Sequence, residues 1–329
     1  MRLHAPLFIL VNTATALTAP TNHPLSHHTV YQFPKPTWVE NIAIRPSDAL
    51  LLTLLTSPTL QTIPFPTSPK PVDLPVYTFP NATGQTGIAP LTPFCDAYIA
   101  LAGDANDPVG SFSAYTVSFS NNTKNTTPKI KKVAALTKSG LPNGIVTVSE
   151  GHAALIADSF LGLIWRLDIA TGNYTVAIQI PETAAPPGLP PGTIAVNGLK
   201  ISHEDGYLYF SNSATVAIYR IRIDKDGYPR GKAETVARLN ASFVDDFAIR
   251  NGVIWATTNS DNRVFAVDVK TGRNVVVLDV LGPTSAAFGR GREDRHVLYV
   301  VTNGGLREFP DNPPEGGKVV ALDTRGFRG

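Results

Sequence analysis

Three copies of one strand pattern in the second half of the chain constrain its fold most. The copies begin at Ile164, Ile218 and Val264, read IWRLDI, IYRIRI and VFAVDV, and are spaced by 54 and 46 residues. A second apolar strand precedes each copy, and a turn that ends in glycine follows it. A repeat of this length, with four short strands per unit, is typical of the blades of a β-propeller.

The innermost strand of each blade gives the number of blades. Six predicted starting points recur along the chain, at Glu40-Asn41, Gly87-Ile88, Asn143-Gly144, Asn197-Gly198, Asp245-Asp246 and Ser285-Ala286. The last unit ends before a fourth strand, which the segment 28–33 can supply by pairing the two ends of the chain. The sequence therefore predicts an all-β, six-bladed β-propeller, closed by its N-terminal strand and forming a single domain over residues 20–329.

The N-terminus has the pattern of a signal peptide. Arg2 supplies a positive start, residues 5–11 form an apolar run, and Ala14-Thr15-Ala16 is a small-residue cleavage site. We therefore expect a signal peptide at residues 1–16, with cleavage as late as residue 19, and a secreted protein of the secretory pathway. This run is too short to cross a bilayer, and no other segment approaches the length of a membrane helix, so no membrane span is predicted.

Five Asn-X-Ser/Thr sequons follow, at Asn81, Asn121, Asn125, Asn173 and Asn240. Each is a predicted N-glycosylation site in a secreted protein, although about one or two would occur by chance in a chain of this length. The single cysteine, Cys95, allows no internal disulfide, and we interpret it as a buried apolar residue.

Composition narrows the class of partner. A net charge of +2 and the lack of a basic stripe argue against nucleic acid, while 43% hydrophobic residues can form a large core. We expect small hydrophobic substrates, and a monomer or a weak homo-oligomer. Proline-rich stretches at 58–80, 181–191 and 310–314 are predicted to be stiff loops between blades.

Polar residues at the predicted starts of inner strands converge on the axis of a propeller. They are Glu40, Asn143, Asn197, Asp245 and Asp246. Oxygen-bearing side chains from several blades can hold a hard divalent cation such as calcium, or a cluster of water molecules. The two Asn-Gly pairs are also common turn formers, so a role in turns stays open for Asn143 and Asn197.

A second set of polar residues lies six positions before the repeated strand: Asp158, Asn212 and Thr258. This regular placement favours a structural role, in which side chains hydrogen-bond the backbone of neighbouring loops. Trp38, Phe160 and Asn303 are predicted to reach the mouth of the channel and, with Asn143 and Asn197, to line a substrate pocket. His152 follows the turn sequence Glu150-Gly151 and His203 precedes the turn sequence 204–206, so both are interpreted as exposed turn residues.

The motifs on the predicted axis resemble those of the SMP-30/gluconolactonase family of six-bladed propellers. Asn197-Gly198-Leu199, Asp245 and Glu40 correspond to that family's three metal ligands. The resemblance implies that Glu40, Asn197 and Asp245 hold calcium or another divalent cation, which polarises a lactone carbonyl while the acid at Asp245 helps to activate water. Asp246 stands where those lactonases usually have glycine.

Longer motifs resemble a group of secreted fungal propellers that includes the hetero-Diels-Alderases of tropolone sesquiterpenoid biosynthesis. They are residues 33–45, residues 156–168 and Asp245-Asp246-Phe247-Ala248. The resemblance implies an enzyme of secondary metabolism that joins a tropolone ortho-quinone methide to a humulene-type alkene. The product would be a dihydropyran within a meroterpenoid.

Such a cycloaddition needs no nucleophile and no redox cofactor, because two apolar partners held in reacting orientation suffice. Formation of the quinone methide by loss of water would be helped by a general acid, for which Glu40, Asp245 and Asp246 are the candidates. Two alternatives stay open: a calcium-dependent lactonase or esterase, and a non-catalytic propeller that binds a small molecule.

Overall fold

The computed structural model describes residues 25–120, 127–202 and 204–327. The strands of these ranges, in chain order, are β1 (His27–Gln32), β2 (Val39–Ile44), β3 (Leu50–Leu54), β4 (Ser57–Ile63), β5 (Leu74–Thr78), β6 (Gly84–Pro90), β7 (Ala97–Gly103), β8 (Ser113–Ser118), β9 (Lys129–Ala135), β10 (Pro142–Val148), β11 (Ala153–Asp158), β12 (Leu163–Asp168), β13 (Tyr174–Ile178), β14 (Val196–Ser202), β15 (Tyr207–Asn212), β16 (Ala217–Arg222), β17 (Glu234–Arg238), β18 (Phe247–Arg250), β19 (Val253–Thr258), β20 (Arg263–Asp268), β21 (Asn274–Asp279), β22 (Pro283–Phe288), β23 (Val297–Thr302) and β24 (Lys318–Asp323). Three single 3-10 turns complete the regular structure of these ranges, at Ser149–Gly151, Asn259–Asp261 and Thr324–Gly326.

The strands form six four-stranded antiparallel sheets, which are the blades of a propeller. Blades one to five are β2–β5, β6–β9, β10–β13, β14–β17 and β18–β21, and blade six has the order β1-β24-β23-β22. The inner strands are β2, β6, β10, β14, β18 and β22. All six predicted starting points fall on these strands or, for Asp245-Asp246, directly before β18, so the six-bladed prediction is confirmed.

The N-terminal strand closes the ring. β1 pairs antiparallel with β24, from His27 opposite Leu322 to Gln32 opposite Lys318. Val30 of β1 is buried and belongs to the same apolar cluster as Val319 of β24. The predicted closure by the two ends of the chain is therefore confirmed, with the closing strand one residue earlier than expected.

The hydrophobic core lies between the blades. Leu155 of blade three and Phe210 of blade four are fully buried in one cluster, and Leu52 of blade one and Val301 of blade six share another. Each buried side chain of this size stabilises the fold by about 2 kcal/mol. Because the apolar layers lie between neighbouring sheets, the inner strands can present polar side chains to the axis.

Bulges at the beginning of the inner strands aim these polar side chains. The register of β2, β6, β10, β14 and β22 with their neighbours shifts by one residue close to the strand start. In β14, Asn197 and Gly198 together lie opposite the single residue Ser211. The extra residue of a bulge is left unpaired, and its side chain turns away from the neighbouring strand. These bulges lie on the side of the propeller where all inner strands begin, which we call the start face. The opposite side is the end face.

Several predictions concern positions outside the core. The predicted signal peptide, Asn121, Asn125 and His203 lie outside the described residues, whereas Asn81, Asn173 and Asn240 are exposed on turns. No helix within the described ranges has the length and apolar character needed to cross a membrane. Glycosylation and the domain limits stay predictions.

Three predictions about local structure are wrong. The stretch 310–314 is not a loop between blades, because it lies between β23 and β24 of blade six. Cys95 is not buried but half-exposed, because it lies in the irregular loop between β6 and β7, beside the almost fully exposed Phe94. The stretch 58–80 is not one stiff loop, because it contains most of β4 and all of β5. These are the two outer strands of blade one, where proline costs fewer ladder hydrogen bonds than in a central strand.

Candidate active site at the propeller axis

The start face of the channel carries a cluster of buried polar side chains from different blades. Glu40 comes from β2, Asn143 from β10 and Asn197 from β14, and Asp245 lies two residues before β18. All four are less than a tenth exposed. The structure therefore places four of the five predicted axial residues at one level of the channel.

Asp245 is held by two amide groups. Nδ2 of Asn197 donates to its Oδ1 at 2.8 Å, and Nδ2 of Asn259 donates to its Oδ2 at 2.7 Å. Burial, followed by repulsion from Glu40, raises the pKa of the Asp245 carboxyl well above its usual value. The site thus contains a carboxyl group that is fixed in place and disfavoured in its charged form.

Glu40 is the second buried acid of the cluster. The indole Nε1 of half-buried Trp38 donates to Oε2 of Glu40 at 2.5 Å. Burial raises the pKa of Glu40 to about 7, and repulsion from Asp246 adds to this effect. The hydrogen bond from Trp38 and the charge of Arg307 act in the opposite direction. A carboxyl group with this pKa can donate a proton at neutral pH.

Asp246 points to the next level of the channel, where its carboxylate joins four blades. The ammonium of Lys200 donates to both of its oxygens, at 2.6 and 2.7 Å. Asn41 Nδ2 and Ser285 Oγ donate to its Oδ2, at 3.1 and 2.9 Å, and the backbone N–H of Phe247 donates to its Oδ1. Both oxygens are occupied, so the geometry supports a structural role for Asp246 beside its predicted role as an acid.

One polar atom of Asn197 has no hydrogen-bond partner. Its Nδ2 donates to Asp245 and to Oγ of Ser213, whereas its Oδ1 is buried without a hydrogen-bond partner. A buried orphan acceptor of this kind is rare and has the chemistry of a ligand for a hard cation. Together with Glu40 and Asp245 it gives an oxygen-only donor set that fits calcium in ligand type. Within the described ranges, no group of three His, Cys, Asp or Glu side chains could hold a metal ion.

The predicted pocket residues are distributed around the start face. Phe160 is half-buried in the turn between β11 and β12. Asn303 is completely buried at the base of the loop between β23 and β24, where its Oδ1 accepts from the backbone N–H of Gly305 at 2.8 Å. This contact gives Asn303 a role in shaping the loop, and its place in a substrate pocket stays a prediction.

The second polar ring has structural contacts. Asp158 accepts hydrogen bonds from the backbone N–H groups of Gly140 and Leu141 and from Nε1 of Trp165. Asn212 Nδ2 donates to two backbone carbonyls of the loop between β13 and β14. These bonds tie loops to their neighbours, which agrees with the role inferred from the regular spacing.

Two residues of the cluster were missed by sequence reasoning. Asn259, which donates a hydrogen bond to Asp245, directly follows Thr258 of the second polar set. Its position next to that set was the one signal in the sequence that could have pointed to it. Arg307 comes from the long loop of blade six, stacks 4.0 Å from the ring centroid of Phe243, and lowers the pKa of both buried acids. No pattern in the sequence marks its position.

Two neighbouring cavities, which share five lining residues, open at the end face, opposite the buried acids. A cavity of 380 Å³, the end-face channel, is lined by the final residues of all six inner strands and includes Asn41 and Lys200. A larger cavity of 810 Å³, the side groove, lies over blades two to four between residues 89–94, 146–151 and 223–225. Pockets of this size accommodate small organic ligands.

Comparison with known proteins relates the chain to one family of propellers. The sequence model of the SMP-30/Gluconolactonase/LRE-like region matches residues 185–304. The chain is therefore similar to SMP-30/gluconolactonase-like propellers. This resemblance, predicted from the axial motifs, is confirmed for a stretch that contains Asn197 and Asp245 but not Glu40.

Two curated relatives match nearly the whole chain. A protein of Phoma sp named "Putative hetero-Diels-Alderase" is 29% identical over 344 residues, which cover 92% of this chain and 96% of the relative. A protein of Sarocladium schorii with the same description is 29% identical over 375 residues, which cover 98% of this chain and 90% of the relative.

Solved structures agree with the fold. The calcium-binding protein regucalcin from Agrobacterium tumefaciens has a TM-score of 0.62 with this SMP-30-like propeller, at 16% sequence identity. The match covers 91% of this chain and 94% of regucalcin. At this identity the likeness supports the six-bladed architecture alone.

Proposed function

We propose that this protein is a hetero-Diels-Alderase of fungal secondary metabolism. The observation that carries the proposal is the similarity to two proteins of that description over at least nine-tenths of the chain. The substrates proposed are a tropolone-derived ortho-quinone methide and a humulene-type alkene. Their product is a dihydropyran within a meroterpenoid.

The main task of the protein in this reaction is to hold the two substrates in the reacting orientation. The heterodiene of the quinone methide and the alkene form one C–C bond and one C–O bond, and no atom or electron leaves. Holding two partners in reacting orientation can replace roughly 7–11 kcal/mol of barrier. The two neighbouring cavities of this propeller, of 810 and 380 Å³, have the size of small-molecule sites and can take one partner each.

Formation of the quinone methide is the step that calls for an acid. Loss of water from an alcohol precursor requires a proton on the leaving hydroxyl group. Glu40 is our first candidate for this acid, because its pKa of about 7 leaves a large protonated fraction at neutral pH. Since Glu40 lies at the start face, loss of water there would be a separate step that precedes the cycloaddition. Asp245 is the second candidate, and the ion pair of Asp246 with Lys200 makes Asp246 the weakest of the three.

An assay with purified protein tests the proposal. A tropolone quinone methide precursor and humulenol are incubated with protein, with and without chelator, and the dihydropyran is analysed on a chiral column. We expect one configuration in excess and no effect of chelator. A product mixture identical to the uncatalysed one would overturn the proposal. Glu40→Gln should slow product formation from the alcohol precursor but not from preformed quinone methide.

A calcium-dependent lactonase or esterase is the second candidate, favoured by the unpaired Oδ1 of Asn197 next to two buried acids. Glu40, Asn197 and Asp245 would hold the cation, which when bound would supply the charge that polarises a lactone carbonyl. This candidate predicts lactone hydrolysis that is lost in chelator and in Asn197→Ala. Binding of a substrate without turnover in either assay would instead indicate a non-catalytic binding propeller.

We also propose that the protein enters the secretory pathway, loses its signal peptide and is glycosylated. Asn81, Asn173 and Asn240 are exposed and accessible to glycan attachment. Intact mass before and after endoglycosidase treatment would measure the glycan, and N-terminal sequencing would locate the cleavage site. Size-exclusion chromatography with light scattering would test the proposal of a monomer or a weak homo-oligomer.

A further inference from the structure

We propose that the cycloaddition takes place in the end-face channel, with the Lys200 ammonium donating a hydrogen bond to the carbonyl oxygen of the heterodiene and the alkene lying in the side groove. This inference rests on the proposed function. It places the reacting partners at the face opposite to Trp38 and Phe160, which the sequence predicted to line the pocket.

The walls of the end-face channel are largely apolar, with Arg250 and Arg290 as further charged lining residues besides Lys200. All six inner strands contribute small or branched apolar side chains, among them Ala43, Ile88, Ile145, Ala248 and Ala287. The cavity measures 380 Å³, within the range of small-molecule sites. Alanine lines the channel on four of the blades, so many of the side chains around it are small.

The polar end of the channel is a positioned hydrogen-bond donor. The side chain of Lys200 is 26% exposed, whereas that of its partner Asp246 is 4% exposed. The ammonium therefore lies between the buried carboxylate and the cavity. Its bonds to the two oxygens of Asp246 use two of its three protons, so one donor remains for a ligand.

The ion pair also fixes where this donor lies. Asp246 is anchored by Asn41 and Ser285 from two other blades, and Lys200 lies 5.5 Å from the ring centroid of Phe247. A donor that is fixed in advance does not have to reorganise during the reaction. Donation to the carbonyl oxygen draws electrons from the heterodiene and stabilises the charge that develops on that oxygen.

The side groove supplies space for the second partner. It shares five lining residues with the end-face channel, namely Ala89, Pro90, Pro93, Val146 and Ile201. Its wall at Ser149 and Glu150 has two successive residues at positive φ, fixed by hydrogen bonds from Ser149 to the carbonyl of Lys225. The two cavities thus adjoin at residues that include Ile201, which directly follows Lys200 in β14.

A matched pair of substitutions in blade three tests this location. Val146 is half-buried on the inner strand β10 and lines both cavities, so Val146→Trp would fill their junction. Val176 is 42% exposed on the outer strand β13, so Val176→Trp adds the same bulk far from the channel. Tropolone binding by calorimetry and cycloaddition from preformed quinone methide are measured for both variants. Circular dichroism and melting temperature establish that each is folded.

We expect Val146→Trp to lower tropolone affinity and turnover at least tenfold, and Val176→Trp to change neither. Lys200→Met should lower kcat for preformed quinone methide and weaken tropolone binding, whereas Lys200→Arg, which keeps a donor, should retain part of both. Wild-type turnover with an unaffected Val146→Trp variant would overturn the location and leave the proposed function standing. Tropolone binding that Val146→Trp abolishes, without any wild-type cycloaddition, would support the site and overturn the function.

Discussion

Asp246 occupies the space that a side chain at Gly198 would need. A Cβ atom built on Gly198 would overlap Oδ1 of Asp246 and lie 2.8 Å from its Cα. Gly144 and Gly87, at the same level in blades three and two, are equally close to the backbone of the next blade. Glycine on three successive blades therefore lets the inner strands approach closely, and at Gly198 it leaves room for the carboxylate of Asp246.

Gly198→Ala should destabilise the protein by roughly 3 kcal/mol, because the added methyl group overlaps a backbone atom that cannot move freely. Gly206→Ala is the control, since a Cβ there meets nothing within 4 Å and only its positive φ is unfavourable. We expect a loss of about 1 kcal/mol for the control. Equal losses in urea unfolding would show that packing against Asp246 does not matter.

The blade repeat could be predicted from sequence because a buried strand imposes a pattern on its own residues. The third strands of blades three to five alternate and are followed by glycine turns, so their positions were correct to within one residue. Closure of the ring could also be predicted, because the last unit lacked a fourth strand and the segment His27–Gln32 could supply it.

The contacts of the site could be predicted only in part. Glu40, Asn197 and Asp245 begin inner strands, and that position alone brings them to the axis. The partners of Asp246 could not be inferred, because Lys200 and Asn41 belong to other blades and the bulges decide which way each side chain turns. The position of Arg307 depends on a long irregular loop, for which no periodicity exists.

Glu40→Gln should change how stability depends on pH. An unperturbed glutamic acid has a pKa of 4.5, whereas the pKa of Glu40 in the folded protein is about 7. The folded state therefore binds this proton more tightly, so its contribution to stability is complete below pH 4.5 and is lost as the pH rises through 7. The substitution should leave stability at pH 4.5 nearly unchanged and raise it at pH 8 by up to about 3 kcal/mol.

Urea unfolding at both pH values, in the presence of chelator, measures this difference. Glu204→Gln, in the exposed turn before β15, is the control and should behave like wild type. Glu40 also repels Asp245, so its removal should weaken the pH dependence that Asp245 contributes. A Glu40→Gln variant that loses stability at pH 8 as steeply as wild type would contradict the raised pKa.

Val30→Asp should open the ring. Val30 is 7% exposed and packs with Phe33 and Val319 in the cluster that closes blade six against blade one. A carboxylate there has no partner, so we expect a loss of at least about 3 kcal/mol and faster proteolysis near the N-terminus. His28→Asp, two residues earlier on the exposed side of β1, should stay within about 0.5 kcal/mol of wild type. A loss of stability for Val30→Asp that is as small as the loss for His28→Asp would show that β1 is not needed for closure.

Lys200 and Asp246 should be strongly coupled in stability. Lys200→Met leaves the carboxylate of Asp246, whose side chain is only 4% exposed, without its cation, and should cost about 3–5 kcal/mol. Asp246→Asn leaves the more exposed Lys200 free to reach solvent and should cost less.

In the double variant both charges of this pair are removed, so its loss of stability should be close to that of Asp246→Asn alone and smaller than that of Lys200→Met. Urea unfolding of the four proteins gives the coupling free energy directly. Losses that simply add would mean that the two groups do not depend on each other, and the donor proposed for the end-face channel would then lack its anchor.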